Sequence, residues 1–412
     1  MALPIWSISQ ISNNLSRSNL EWTTPAITFG FPTQAPSWSA NAEGRGFSTF
    51  NANQREAART AVDLFDDVIR PDFTETSGRA QVTFQNTNTS IGYAHAYFPG
   101  NFGAAGSAWF NSNYGPGSGT NNLLSPVTGQ WGFMTFIHEL GHAMGLDHPG
   151  DYEGNVSYET DAPYRQDSMM YTIMSYFGAE ETGADHVASD GRQYYAQTPM
   201  MHDIKALQDM YGAETATRAG NTTYGFNSNS GSELFDFTQN RHPIVCIWDG
   251  GGNDTLDLSG FRTSSRVDLR PGTFSDADAM TKNISVAIGA LIENAIGGAA
   301  ADVLSGNTAA NRLVGGGGND RLIGGGGNDT LTGGVAADQF IFNAAAFGRD
   351  TISDFDDGLD KLVFKRSVAD AFSDFSISGN GSTAVTLAVG GDSIVLRDDR
   401  PIAISQADFL FV

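Results

Sequence analysis

From residue 297 the chain repeats itself every nine residues. The units run 297–305, 306–314, 315–323, 324–332 and 333–341; the third reads GGGGNDRLI and the fourth GGGGNDTLT. The pattern is Gly-Gly-x-Gly-x-Asp, then x, a large apolar residue and x. The apolar place holds Leu304, Leu313, Leu322, Leu331 and Phe340, and the carboxylate place holds Asp302, Asn311, Asp320, Asp329 and Asp338. A three-residue strand with one apolar side chain cannot bury that side chain alone. Consecutive units must therefore stack, which predicts a parallel β-roll. The glycines let the backbone turn tightly with carbonyl oxygens aimed at a cation. Each aspartate adds a hard anionic oxygen, and calcium takes about six to eight such oxygens. A flexible glycine-rich linker has no reason to place a leucine at this period. An earlier copy spans 249–257, with Asp254 in the carboxylate place and Leu256 in the apolar one.

A second constraint lies upstream, in the run His138-Glu139-Leu140-Gly141-His142-Ala143-Met144-Gly145-Leu146-Asp147-His148. On a helix, His138 and His142 stack on one face and can converge on one metal ion. Glu139 sits beside the first ligand and can reach a water at the metal without ligating it. Gly145 ends the helix, because glycine takes the left-handed conformation that closes a last turn. The reversed chain then brings in His148. Three neutral nitrogens with an open fourth position describe a catalytic zinc site, whereas a structural zinc is usually closed by four protein ligands.

The run resembles the metzincin signature HExxHxxGxxH, and Pro149-Gly150-Asp151-Tyr152 narrows the resemblance to the serralysin family of secreted bacterial metalloproteases. The repeat resembles the calcium-binding RTX nonapeptide. The likeness implies that Tyr171-Thr172-Ile173-Met174-Ser175-Tyr176 is the Met-turn. Met174 would form an apolar floor beneath the zinc, and Tyr176 would ligate zinc at rest and then donate a hydrogen bond to the tetrahedral intermediate. It further implies calcium ligands at Arg218, Gly220 and Thr222 with Asp249, Gly251 and Asp254; at Leu291 (through its carbonyl) and Glu293; at Gly298, Ala300 and Asp302; and at Asp350 and Asp357. Within the repeats they are Gly315, Gly316, Gly317, Gly318, Asp320, Gly324, Gly325, Gly326, Gly327, Asp329, Gly333, Gly334, Val335 and Asp338. The chain departs from the repeat at Asn311, at Asn307 and at Ala300, Ala309 and Ala336, where weaker calcium binding is expected.

Around these motifs the local patterns predict a strand at 26–31 and a helix over 51–69 capped by Asn51 or Asn53. Further strands are predicted at 79–84, 90–98 and 106–110, and helices at 131–144 and 201–211. In the family an edge strand pairs with the substrate backbone, and Ala94–Tyr97 is the candidate; an ordinary sheet strand fits those residues equally well. His95, His186, His202 and His242 read as strand, surface or packing residues, since three histidines already fill the site.

Lys+Arg total 23 against Asp+Glu 46, a formal net charge of -23, which argues against nucleic acid or anionic membrane as partners and suits a calcium-loaded protein. The single cysteine, Cys246, excludes an intrachain disulfide and lies in an apolar run as a packed core thiol. No apolar stretch is long enough to span a membrane. The N-terminus, Met1-Ala2-Leu3-Pro4-Ile5-Trp6, lacks a basic region followed by an apolar one, so no conventional signal peptide is expected. The ending Asp408-Phe409-Leu410-Phe411-Val412 resembles the type I secretion signal of RTX proteins.

These readings combine into two domains. An α+β metzincin catalytic domain covers 1–225, and an all-β domain with a calcium-binding parallel β-roll and the secretion signal covers 226–412. The expected function is a secreted, extracellular, monomeric zinc endopeptidase acting on proteins, with Glu139 as general base and calcium as structural cofactor. A calcium-dependent adhesion or scaffold protein with an inactive protease domain is the alternative. Another RTX hydrolase such as a lipase is disfavoured by the lack of a GxSxG nucleophile elbow.

Overall fold

A computed structural model describes residues 3–40, 42–89, 91–152 and 155–412. The chain forms two compact units. One comprises residues 1–186, 192–217 and 244–248, the other residues 187–191, 218–243 and 249–412.

The first unit begins with helix α1 (Ile8–Leu15), whose Ser7 and Gln10 form a reciprocal capping box. Its sheet has the order β2-β1-β3-β5-β4, from β1 (Ala26–Gly30), β2 (Asp72–Glu75), β3 (Val82–Thr87), β4 (Ala94–Ala96) and β5 (Ser107–Asn111). The first four members run parallel, and β4 closes the edge antiparallel to β5 with His95 opposite Trp109. Helix α2 (Ala52–Asp66) starts at Asn51, which caps Gln54 in a second capping box. Phe50, Phe84, Phe110 and Phe136 bury the seam between the sheet and helix α3 (Trp131–Ala143). A single turn, α4 (Tyr158–Asp161), and helix α5 (Met201–Tyr211) complete the helices.

Two expected strands shift. The one at 79–84 moves to Val82–Thr87, because Gln81 is engaged by Thr28 ahead of it. The one at 90–98 contracts to Ala94–Ala96, since the Asn111 amide caps the carbonyls of Ile91 and Gly92 and removes them from the ladder; Ser90 lies outside the described residues.

The second unit is a roll of two sheets. In the nine-stranded sheet, 223–225, 255–257, 294–296, 312–317, 330–335 and 349–352 run parallel in that order. The hairpin of 382–389 and 392–402 extends it. In the six-stranded sheet, 266–268, 303–305, 321–323, 339–342, 361–364 and 409–411 run parallel. Successive repeats alternate between the sheets, so each full coil takes two repeats. Leu256, Leu304, Leu313, Leu322, Leu331 and Phe340 point inward and are fully buried, as the stacking argument requires. The C-terminal Phe409–Phe411 pairs with Leu362–Phe364 and covers the end of the six-stranded sheet.

Candidate metal centre and the aspartate columns

Helix α3 carries His138 and His142 one turn apart, with ring centroids 4.8 Å from each other. Gly145 ends it at φ +98°, where a Cβ would lie 2.0 Å from the carbonyl oxygen of Leu20. Only glycine meets both conditions. The backbone N–H of Leu146 returns to the Gly141 carbonyl, and the chain turns so that His148 faces the helix. The N–H of Asp147 donates to the Leu15 carbonyl, its carboxylate accepts from the Ser18 N–H, and Arg17 donates to the His148 carbonyl. The third histidine is thus held from both sides.

The three imidazoles converge. Nε2 of His148 lies 2.9 Å from Nε2 of His142 and 3.2 Å from Nε2 of His138. On the opposite side of each helical ring, Nδ1 donates to a backbone carbonyl, His138 to Ile173 and His142 to Leu146, both at 2.7 Å. These bonds fix the tautomer and leave Nε2 as a lone pair. Burial pushes the pKa of His138 down to about 4 and that of His142 to about 3, the latter helped by His138; His148 is lowered still further. Three neutral nitrogens sharing one small volume are what a divalent metal ion needs, and they are the one such cluster among the described residues.

Glu139 is buried, and burial alone raises its pKa to about 8. Its Oε2 has no hydrogen-bond partner. It faces a cleft of about 510 Å³ together with His138, Tyr176 and, from the sheet edge, Tyr93 and Ala94. The ring of Tyr176 is half exposed, 4.6 Å from His148 and 6.3 Å from His138 between centroids. Met174 is fully buried under the helix, and a Cβ on Gly141 would meet its sulfur at 2.8 Å.

One organising residue escaped the sequence reading. Asp203, at the start of α5, is fully buried and accepts from the Thr172 hydroxyl (2.5 Å), the Ile173 N–H (2.8 Å) and the Met200 N–H (2.8 Å). Burial raises its pKa to about 7 against these donors. Ile173 is the residue whose carbonyl holds His138, so the carboxylate fixes the loop that fixes the ligand. His202 beside it is buried and stacks on Tyr171, so it packs and does not lie at the surface. His95 lies in β4 with Nε2 3.0 Å from Glu43, and Cys246 is buried.

In the roll the carboxylates form two columns. Oδ1 of Asp320 accepts from the Asp302 N–H, Asp338 serves Asp320, and Asp360 serves Asp338; in the other column Asp329 serves Asn311 and Asp350 serves Asp329. The second oxygens of Asp254, Asp320, Asp329 and Asp338 are buried without partners. Burial raises the pKa of Asp320 to about 7 and those of Asp329 and Asp338 to about 6. Orphaned hard oxygens beside glycine turns suit a calcium ion. Asp302 differs, with both oxygens taken by the Ser265 and Gly298 N–H groups, and Asn311 satisfies the Glu293 carbonyl with its own amide. The Gly315–Gly318 and Gly324–Gly327 turns stack on the coils before them, where a Cβ on Gly316 would meet the Gly298 carbonyl at 2.5 Å. Gly333, Gly334 and the exposed Val335 continue the same edge.

Ahead of the repeats, Thr222 Oγ1 lies 3.0 Å from the Gly220 carbonyl and 3.3 Å from that of Arg218. Its N–H donates to Asp254, whose own N–H donates to Glu293, and Asp249 accepts from the Gly251 N–H. These expected ligands are therefore gathered, whereas Leu291 is exposed and Asp357 caps the Ala403 N–H. Asp360 was not anticipated, because it falls 22 residues after Asp338 and breaks the repeat's count.

Comparison with known proteins gives two family matches. Residues 31–185 match the family described as metallo-peptidase family M12, and residues 213–384 match the one described as peptidase M10 serralysin C terminal. Among curated proteins, Serralysin C of Dickeya chrysanthemi is 38% identical over 319 residues, and Metalloprotease AprA of Pseudomonas entomophila (strain L48) is 42% identical over 319 residues. Each alignment covers 73% of this chain and 64% of the relative. Serralysin of Proteus mirabilis is 36% identical over 329 residues, covering 73% of this chain and 65% of the relative. The chain thus spans a little under two thirds of the length of the relatives it matches.

Proposed function

Because the chain belongs to the serralysin family, we propose that it is a secreted zinc-dependent endopeptidase that hydrolyses peptide bonds of extracellular proteins. The convergence of three tautomer-fixed histidines beside a buried, unpartnered Glu139 oxygen carries this reading. His138, His142 and His148 would hold the ion, and Tyr176 would be a further ligand at rest. When bound, zinc would supply Lewis acidity towards the scissile carbonyl and towards a water. Glu139, with its unpartnered oxygen in the cleft, would accept a proton from the attacking water and deliver it to the leaving amine. Tyr176 donates a hydrogen bond to the developing oxyanion. The free edge of β4 pairs with the substrate backbone and holds it across the cleft, which favours breadth over side-chain selectivity.

The second unit is read as the structural module. Several calcium ions would occupy the aspartate columns, and the flanking groups at 218–222, 249–254, 293–298 and 350 would supply further oxygens, with the Leu291 carbonyl and the Asp357 oxygen not engaged by Ala403 as the remaining candidates. The catalytic domain is read as 1–225 and the roll domain as 226–412; the two compact units divide the chain slightly earlier, at 217, with 244–248 joining the first and 187–191 the second. Export through a type I machinery, action outside the cell and a monomeric state complete the proposal; no helix among the described residues is long and apolar enough to cross a membrane. The test is casein hydrolysis by the purified protein before and after phenanthroline, and after zinc is returned. Activity lost with zinc and restored by it is the expected result. A folded, zinc-loaded protein with no proteolysis would favour the scaffold alternative.

A further inference from the structure

The six-stranded sheet turns two rows of side chains away from the roll's interior, one on either side of the buried row, and the first of them carries the cations. Backbone register aligns Arg266, Val303, Arg321, Gln339 and Lys361 across five parallel strands. Their neighbours Val267, Leu304, Leu322, Phe340 and Leu362 are the fully buried residues, so by strand alternation this row faces outward. Every second rung is cationic. Strands lie about 4.8 Å apart, so the charges repeat at roughly 9.6 Å and span roughly 19 Å. Arg266 and Arg321 are exposed. None of the three makes an ion pair among the described residues, and Lys361 donates only to the Asp360 carbonyl at 3.0 Å.

This is unusual on a chain with 23 basic against 46 acidic residues. Two acids adjoin Arg266 at the edge of this sheet: Asp276, its antiparallel bridge partner, accepts from the Lys282 N–H, and Asp268 lies two residues further along the same strand; the other acids are turned away from the row. Asp302, Asp320, Asp338 and Asp360 are buried along the turns, and Asp268 is engaged by Arg270. The nine-stranded sheet supplies an internal comparison. Its matching row reads Thr223, Thr255, Asn294, Arg312, Thr330 and Thr351, hydroxyls and amides with one cation. The two faces share a backbone and differ in charge.

We propose that the outer face of the six-stranded sheet binds a linear acidic polysaccharide, one whose anionic groups recur along the chain at about the spacing of these cations. Charge complementarity selects the class: a straight, evenly spaced row fits an extended polyanion better than a compact anion, which would meet one cation at a time. The intervening Val303 and Gln339 lie where the uncharged parts of the sugar units would rest. The site does not depend on the catalytic reading, since it lies wholly within the second unit.

The probe is chondroitin sulfate, with uncharged dextran as control, and the protein is the full chain saturated with calcium. Retention on immobilised chondroitin sulfate at low ionic strength, released by salt and absent on dextran, is expected. The triple variant R266Q/R321Q/K361Q should bind roughly 10- to 100-fold more weakly and show a shallower salt dependence. The control R312Q/R349Q, on the other sheet, should change binding less than about 2-fold. Circular dichroism in calcium verifies that both variants fold. If the triple variant does not fold, the single variants R266Q and R321Q are read instead, each expected to lose roughly 3- to 5-fold. Equal losses in the two multiple variants, or no retention of the wild type at low salt, would overturn the proposal.

Discussion

Replacing Gly145 by alanine tests how the third histidine is positioned. Two costs add. Alanine at φ +98° occupies a left-handed conformation that costs an L-residue about 1–2 kcal/mol. Its Cβ would also lie 2.0 Å from the Leu20 carbonyl oxygen and 2.8 Å from Met210 Cε. The methionine tip can move, but the carbonyl belongs to a segment tied to the loop through Asp147, Ser18 and Leu15. Relieving that contact costs about 1–3 kcal/mol, as overpacking a buried site does. The sum, about 2–5 kcal/mol, corresponds to a fall of roughly 5–15 °C in the melting temperature of a domain this size. The displaced backbone is the one that delivers His148, so zinc affinity should fall with stability. Calorimetry and zinc titration read the two effects. A G145A protein melting within about 2 °C of wild type with unchanged zinc affinity would refute the reasoning. Gly145→Asn separates the terms, because asparagine tolerates the left-handed region but keeps the collision.

Other consequences are equally accessible. Glu139→Gln should fold, retain zinc and lose proteolysis by about 100-fold or more, as loss of a general base does; near-wild-type casein hydrolysis would remove Glu139 from that role. Asp203→Ala strands three buried donors and should cost about 3 kcal/mol while weakening zinc binding, and Asp203→Asn should recover most of both. Equal zinc affinity in all three proteins would show that the brace does not reach His138. Leu322→Ala, between Leu304 and Phe340 in register, should lower the calcium-loaded roll's stability by about 2–5 kcal/mol in denaturant titrations. Asp320, Asp329 and Asp338 have folded pKa values raised to about 7, 6 and 6, above the ordinary carboxylate value. A group raised in this way destabilises the fold once it must ionise, so the calcium-free roll should weaken as pH climbs from about 4 to about 7, and calcium should abolish the trend. A denaturation midpoint that rises with pH in metal-free protein would contradict this.

The features legible in the sequence were those with a period or a fixed offset. The nine-residue repeat specified which leucines point inward and which aspartates line up, and each is found so. The histidine run specified the helix, its glycine stop and the three-way convergence. What escaped was set by long-range contact. Asp203 lies 61 residues beyond His142 in the sequence, and nothing local marks it as the brace of Thr172 and Ile173. Helix α1 was missed because its Ser- and Asn-rich composition masks the Ser7–Gln10 capping box that starts it. Asp360 was missed because extra residues after Phe342 carry the column past the repeat's register.

The columns also have a direction. Each aspartate closes the backbone N–H of the coil that precedes it in the chain, never the one that follows: Asp360 finishes Asp338, which finishes Asp320, which finishes Asp302. A coil is therefore complete only when its successor exists. Cutting the roll from its C-terminal side exposes an unpaired N–H at every step, whereas cutting from the other side removes a coil that nothing later relies on for this bond. The backbone bonds at the same residues run the other way, with the N–H groups of Arg321, Gln339 and Lys361 donating to the carbonyls of Asp302, Asp320 and Asp338, so the side chains tie each coil to its predecessor where the main chain ties it to its successor.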